Sequence, residues 1–216
     1  MAPSATEPTS EQQILDRALE SLLTGTPLVI TGVGSLEMSE RCIEVPWAAA
    51  LLKDSKSILD IGFSMSPPEW MGVLLQVQEL DTDLVGIDII DPTRVKSRYR
   101  ADQVEAVMKV PVRVEDFLSA RSDGSLYETV ACISTLEHIG FDKATDPTNT
   151  KSVFARAESI SELNEFRDPS TDSAFLDSAY GFLEPAGRLI VSVPAGSGGP
   201  ILHQDSLGFY THQFEY

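Results

Sequence analysis

The sequence predicts a doubly wound, mostly parallel α/β sheet. From residue 57 onward short apolar, β-rich runs alternate with amphipathic helical stretches, and the runs are apolar along their length, as strands covered on both faces are. Acids or small residues stand where runs end, and in such sheets ligands bind beyond the carboxyl ends of the strands, where strand order reverses.

Residues 11–23 carry Ile14, Leu15, Ala18, Leu19, Leu22 and Leu23 at helical spacing, and the stripe stops near Gly25 and Pro27. A second apolar segment, 43–52 with Trp47, leads into a polar turn at 53–57. The alternation follows: strand 57–61, helix 67–80, strand 84–90, helix 93–109, strand 110–114, strand 129–133, helix 173–183 stopped by Pro185 and Gly187, and strand 188–193 closed by Pro194. This divides the chain into a flexible polar tail at 1–10, an N-terminal helical segment at 11–54 and an α/β domain at 55–216. A polar stretch at 141–172, with Asp146-Pro147 and Asp168-Pro169 turns, is too long for a simple connection. Two readings stand for it: a lid or specificity insertion, and a surface loop with one short helix around 153–163.

The chain's 216 residues, 42% of them hydrophobic, suffice for one full core. Its apolar runs fall short of the roughly 20 residues that span a bilayer, and its start lacks a signal peptide's basic and apolar regions, so a cytoplasmic protein is expected. Cys42 and Cys132 lie in apolar segments without CxxC or CxxH context and read as buried reduced thiols. With 33 acidic against 16 basic residues the net charge is −17. Such a field repels phosphate backbones, so no nucleic-acid partner is expected. The basic run Arg94, Lys96, Arg98 and Arg100 reads as a solvated helix or loop, with contact to an anionic substrate group as the other reading.

Chemistry concentrates at the run ends. In Ile58-Leu59-Asp60-Ile61-Gly62-Phe63-Ser64-Met65-Ser66 a strand ends in an acid followed by small residues at alternate positions. Gly62 lets backbone pass close to a ligand. Ser66, followed by prolines and Glu69, reads as a helix cap. Asp88 ends the second strand 26 residues after Gly62, the spacing of a strand-helix-strand unit whose second carboxylate accepts hydrogen bonds from ribose hydroxyls. Glu115-Asp116-Phe117 follows the third strand, and Ser134-Thr135-Leu136-Glu137-His138-Ile139 follows the fourth.

In this order the segments resemble class I S-adenosylmethionine-dependent methyltransferases: D-x-G-x-G-x-G at Asp60, S-x-L-E-H-I at Ser134, and L-x-P-G-G-x-L at Leu183, with Ser64, Ser66 and Ala186 where glycines are usual. The resemblance implies a Rossmann-like fold, S-adenosyl-L-methionine as cofactor, and O-methylation, or less readily N-methylation, of a small-molecule or glycan-like acceptor. It places Asp60, Gly62, Ser64, Asp88, Ile89, Asp116, Phe117 and Ser134 at the cofactor. Asp116 would meet the adenine amino group and Phe117 its ring. His138 would take the acceptor's proton, with Glu137 orienting the imidazole or holding the loop. Relatives with E-x-x-E-H bind a divalent metal; Ser134 replaces the first acid here, so no metal is assigned. The other reading is a degenerate binding or partner module, motivated by the missing glycines. The family's sheet continues past its fifth strand, whereas only 22 residues follow Pro194. The sheet is therefore expected to be short at its C-terminus, as a fragment or with its edge completed by self-association or an unusual tail.

Overall fold

The computed structural model describes residues 10–30, 40–139, 170–193, 195–196, 201–204 and 210–215. The tail expected at 1–10, apart from Ser10, the insertion at 141–172, apart from its last residues, and the helix around 153–163 lie outside the described residues. Five strands form the main sheet: β1 (Ser57–Ile61), β2 (Asp83–Asp88), β3 (Val112–Val114), β4 (Tyr127–Ile133) and β5 (Leu183–Ser192). Their order is β3-β2-β1-β4-β5, and every pairing is parallel. The chain steps outward from β1 to β3, then returns to the other side of β1 with β4. The order therefore reverses between β1 and β4, where a crevice opens beyond the strand tips.

Period-two alternation splits the strands between two cores. Ile58, Ala131, Ile133 and Ile190 face one, with α1 (Ser10–Thr24), α2 (Arg41–Leu52), α3 (Pro68–Glu79) and the single turn α4 (Val104–Val107) packed on it. Leu59, Ile61, Val130 and Cys132 face the other, under Phe175, Ala179 and Phe182 of α5 (Thr171–Phe182). β1 and β4 are thus covered on both sides, the condition the continuous runs implied, whereas β3 at the sheet edge carries Arg113 and is only partly buried. Both cysteines are buried and free.

Two local features position the N-terminal helices. Pro46 lies inside α2 and has no N–H to give the Cys42 carbonyl, which instead accepts from the Ile30 backbone at 3.1 Å. Gly72 of α3 lies against Leu15 of α1: a Cβ there would come within 2.6 Å of Leu15 Cδ1. The two helices meet where one has no side chain.

The helix expected at 93–109 does not form. In its place stand two 3-10 turns, Pro92–Arg94 and Lys96–Arg98, and then α4. The basic run would place like charges at i, i+4 on a helix, at Arg94 with Arg98 and at Lys96 with Arg100. Tertiary contacts hold the turns instead: the Tyr99 hydroxyl donates to the Ser64 carbonyl at 2.9 Å, and Gln103 Nε2 donates to that of Pro68 at 3.2 Å.

β5 begins at Leu183, directly after α5, and not at 188 as expected. The pairing with β4 jumps from Tyr127 with Leu183 to Thr129 with Arg188, so residues 184–187 form a bulge. Ala186 is held there at φ +67°. Gly187 follows, where a Cβ would come within 3.0 Å of the Glu128 and Glu184 carbonyls.

The C-terminal residues do not extend this sheet. β6 (Ala195–Gly196), β7 (Ile201–Gln204) and β8 (Tyr210–Glu215) form a separate sheet of order β6-β8-β7, parallel between β6 and β8 and antiparallel between β7 and β8. No described helix is long and apolar enough to cross a membrane.

Because an L-residue in the left-handed region costs about 1–2 kcal/mol, Ala186→Gly is expected to stabilise the fold by about 1 kcal/mol. Urea denaturation measures this as a higher midpoint at unchanged slope; a lower midpoint would show that the bulge is not strained at Ala186.

Candidate active site

The turn after β1 is held from below and from the side. Gly62 adopts φ +84°, and a Cβ on it would lie 2.4 Å from Thr135 Oγ1, so this turn meets the β4 tip as bare backbone. Phe63 is fully buried and fills the space over Gly86, whose Cβ would come within 2.6 Å of its ring. Ser64 is also fully buried. Its N–H donates to Asp88 Oδ2 at 2.9 Å, its hydroxyl to the Ile90 carbonyl at 2.6 Å, and its carbonyl receives Tyr99. The Ser66 cap is not made. α3 is capped by Pro67 without a side-chain bond, and the Ser66 hydroxyl turns to the Gly62 carbonyl at 3.4 Å.

A crevice of about 210 Å³ opens above these groups. Gly62, Asp88, Ile89, Asp116, Phe117, Ser134 and His138, each singled out in the sequence, line it together. Asp60, Ser64 and Glu137 are not in the lining and lie buried in the surrounding protein. Asp88 ends β2 at 8% exposure and accepts from Ser64 N and, through Oδ1, from Ile90 N at 2.9 Å. Burial pushes its pKa up to about 6, against those backbone hydrogen bonds. The Met65 and Ile89 N–H groups also favour its charged form, and the carboxylate still faces the crevice, where ligand hydroxyls can share it. Ile89 beside it is 45% exposed, an apolar surface at the rim.

At the β3 tip Asp116 is exposed, with Oδ1 accepting from Leu118 N at 3.1 Å. Phe117 is buried and packs on Phe175 and Phe182, with ring centroids 5.3 and 5.8 Å away, so the ring that lines the crevice is locked by the second core. Of the basic run, Arg98 reaches the crevice. Arg100 pairs instead with Asp102 and Glu11.

The β4 tip carries Ser134 at φ +47°, its hydroxyl donating to Glu44 Oε1 at 2.8 Å. His138 follows at the mouth, half-buried, its backbone N–H on the Thr135 carbonyl at 3.0 Å. Glu137 faces the charges of α2. Burial raises its pKa to about 8, Glu44 and Glu40 add to the rise and Arg41 opposes it. Asp60 is fully buried; Trp70 Nε1 donates to its Oδ1 at 2.9 Å, and Oδ2 has no hydrogen-bond partner. Burial pushes it up to about 8, against the Trp70 hydrogen bond, with the Asp88 charge adding to the rise. Among the described residues no three His, Cys, Asp or Glu side chains gather as a metal site.

Sequence reasoning missed Trp70, Tyr99, Thr135, Arg41 and Glu44. Trp70 and Tyr99 stand in stretches expected to be helical, and their single polar atoms, which no spacing marks, are what they bring here. Arg41 and Glu44 sit in the first turn of α2, far from the motif segments in sequence, with no local pattern to mark them.

No protein-family model and no curated protein matches the chain. Among solved structures it is similar to the 1,6-didemethyltoxoflavin-N1-methyltransferase of Burkholderia thailandensis with bound 1,6-didemethyltoxoflavin and S-adenosylhomocysteine, at TM-score 0.49 and 14% identity over 99% of this chain and 76% of that one. It is similar to the N-methyltransferase NodS of Bradyrhizobium japonicum in complex with S-adenosylhomocysteine, at TM-score 0.40 and 10% identity, covering 86% of this chain and 62% of that one. A third likeness is to the O-methyltransferase of a trans-AT PKS multienzyme of Brevibacillus brevis in complex with S-adenosyl-L-homocysteine, at TM-score 0.41 and 13% identity over 75% of this chain and 42% of that one.

Asp60 makes stability depend on pH in a set direction. Its folded pKa of about 8 stands above the unfolded value of 3.8, so the folded state holds a proton that the unfolded chain releases between those values. Its contribution is complete below about pH 4 and is lost as pH rises toward 8, at about 1.4 kcal/mol per pH unit. Asp60→Asn, which keeps an acceptor for Trp70, is expected to flatten the fall in stability across that window, measured by denaturation at pH 5 and pH 8. Equal slopes for the two proteins would show that Asp60 is ionised in the fold.

Proposed function

We propose that the chain binds S-adenosylmethionine in this crevice and is a methyltransferase acting on a small-molecule or glycan-like acceptor. The observation that carries the reading is the convergence of Asp88 and Asp116 on one crevice beside the close-passing turn at Gly62, at the point where strand order reverses.

The residues fit the group. Asp88 offers remaining lone pairs where a nucleoside's ribose hydroxyls would lie, Ile89 and Phe117 offer apolar surface for the base, and Asp116 accepts from its amino group. The turn at Gly62 presents backbone to the rest of the molecule. The unpartnered Oδ2 of Asp60 leaves a polar carboxyl group beneath that turn. The serine at 64, one motive for a degenerate module, leaves the crevice open because its hydroxyl is spent on Ile90. When bound, the cofactor supplies a methyl group activated on a positively charged sulfur. The protein's share is alignment of the acceptor for in-line attack, with His138 at the mouth to receive a proton.

Calorimetric titration with S-adenosylhomocysteine tests the pocket. Wild type is expected to bind and Asp88→Ala to lose about tenfold to a hundredfold in affinity, the range for hydrogen bonds to a charged group; equal affinities would sink the assignment. Hydroxyl donors need the ionised carboxylate, so wild-type affinity is expected to fall as pH drops below about 6, and that of Asp88→Asn to stay level.

His138→Ala is expected to slow methyl transfer from labelled cofactor by about a hundredfold or more across an acceptor panel while leaving S-adenosylhomocysteine affinity unchanged. An unchanged rate would remove His138 from the chemistry.

A further inference from the structure

Across the strand tips, in the order β3, β2, β1, β4, the crevice lining runs from Asp116 and Phe117 to Asp88 and Ile89, then Gly62, then Ser134, Thr135 and His138. A nucleoside seated at the β3 and β2 tips directs its far end past Gly62 to the β4 tip, so the reacting atoms meet Ser134. Ser134 has an unusual hydrogen-bonding state. Its hydroxyl proton is committed to Glu44 Oε1 at 2.8 Å, which leaves Oγ with lone pairs alone to present to the crevice. Whatever sits there must bring an N–H or O–H of its own.

The charge behind Ser134 narrows the choice. Glu137, 3% exposed, has an Oε2 buried without a hydrogen-bond partner, and its carboxyl lies in the field of Glu44, Arg41 and Glu40. Glu44 in turn faces Arg41 of α2, Glu40 just before that helix and Glu69 of α3. Arg41, itself in the crevice lining, thus stands against three carboxyls, those of Glu44, Glu69 and Glu137, whose ionised forms burial disfavours, and a second cation brought by a ligand would favour those forms. A neutral hydroxyl satisfies the Ser134 lone pairs but not this excess of acid; an amine satisfies both.

We propose that Ser134, backed by Glu44, is the seat of the acceptor's nucleophile and that it selects an amine, making nitrogen and not the oxygen expected from sequence the atom methylated. Bound as its ammonium, the amine gives one proton to His138, and its freed lone pair takes the methyl as the methyl–sulfur bond breaks and S-adenosylhomocysteine leaves. The proposal rests on the methyltransferase reading. Glu44 is a positioning residue: it orients the Ser134 hydroxyl and supplies charge without entering the crevice.

Sinefungin tests it without knowledge of the natural acceptor, because this cofactor analogue carries an amino group where S-adenosylmethionine carries the transferable methyl. Calorimetry on the full chain compares sinefungin with S-adenosylhomocysteine, which is neutral at that point. Wild type is expected to prefer sinefungin by about tenfold or more, the size of a charge-assisted hydrogen bond. Glu44→Gln, which keeps the acceptor for Ser134 but removes the charge, is expected to abolish most of that preference with S-adenosylhomocysteine affinity retained as the sign of an intact crevice. Ser134→Ala, which removes the contacting oxygen, is expected to lower the ratio of the two affinities in the same way, any loss common to both analogues cancelling in that ratio, and decides the matter if Glu44→Gln disturbs the fold. Equal binding of the two analogues by wild type, or a preference that survives both substitutions, overturns the amine seat and leaves the methyltransferase reading standing. Failure of wild type to bind S-adenosylhomocysteine overturns that reading and the proposal with it.

Discussion

The Asp88 carboxylate is the interaction on which the crevice depends. One oxygen takes the Ser64 N–H from the turn after β1 and the other takes the Ile90 N–H from the turn after β2, both at 2.9 Å. The turns beyond two strand tips are thereby tied to one buried group. The ties reinforce each other: the Ser64 hydroxyl closes on Ile90, the Tyr99 hydroxyl closes on Ser64, and the Gly62 N–H donates to the Ile87 carbonyl at 2.9 Å. A carboxylate with two or more backbone donors is ordinarily held low in pKa; here desolvation wins and moves it up to about 6. The group therefore sits near the balance between its two protonation states, where a pair of ligand hydroxyls decides which is populated.

The same balance recurs around the crevice. Asp60 and Glu137 both have one carboxyl oxygen buried without a partner and both are pushed up to about 8 by burial. An unsatisfied buried polar atom costs on the order of 1–3 kcal/mol, so a fold optimised for stability alone would place amides or apolar side chains there. Both acids flank the tips of β1 and β4, the strands between which the order reverses. Stability is given up where a ligand would gather, which is the pattern of a binding site and not of a core defect.

Much of the fold was legible because its signal is local and repetitive. Alternating apolar runs and helical stripes reported all five sheet strands, and Asp60, Asp88, Asp116 and Ser134 marked the tips of the first four. What failed did so where tertiary contacts outweigh local preference. Residues 93–109 have helical composition, yet repulsion along the basic face and the pull of Tyr99 toward Ser64 favour turns. The strand expected at 188 begins at Leu183, because a bulge at 184–187 lets β5 regain its pairing with Tyr127; Pro185 and Gly187 read as a stop when they are in fact the bulge. Ser66 was read as a cap from its neighbours alone, and the crevice was invisible to that reading.

The site residues divide along a similar line. Side chains at a strand end or in the turn beyond it, such as Asp88 and His138, are placed by local chain, and a motif can report them. Glu44 stands 90 residues from Ser134 in sequence, and their contact exists because α2 packs over the tip of β4. That packing depends in turn on Pro46, whose missing N–H frees the Cys42 carbonyl to hold Ile30 and so fixes the segment leading out of α1. A strand tip can place the donor's half of a reaction through motifs shared by many chains. The acceptor's half as proposed lies against a helix from outside the alternating unit, where sequence varies without disturbing the sheet, and that is where a fold of this kind can change what it acts on while keeping what it binds.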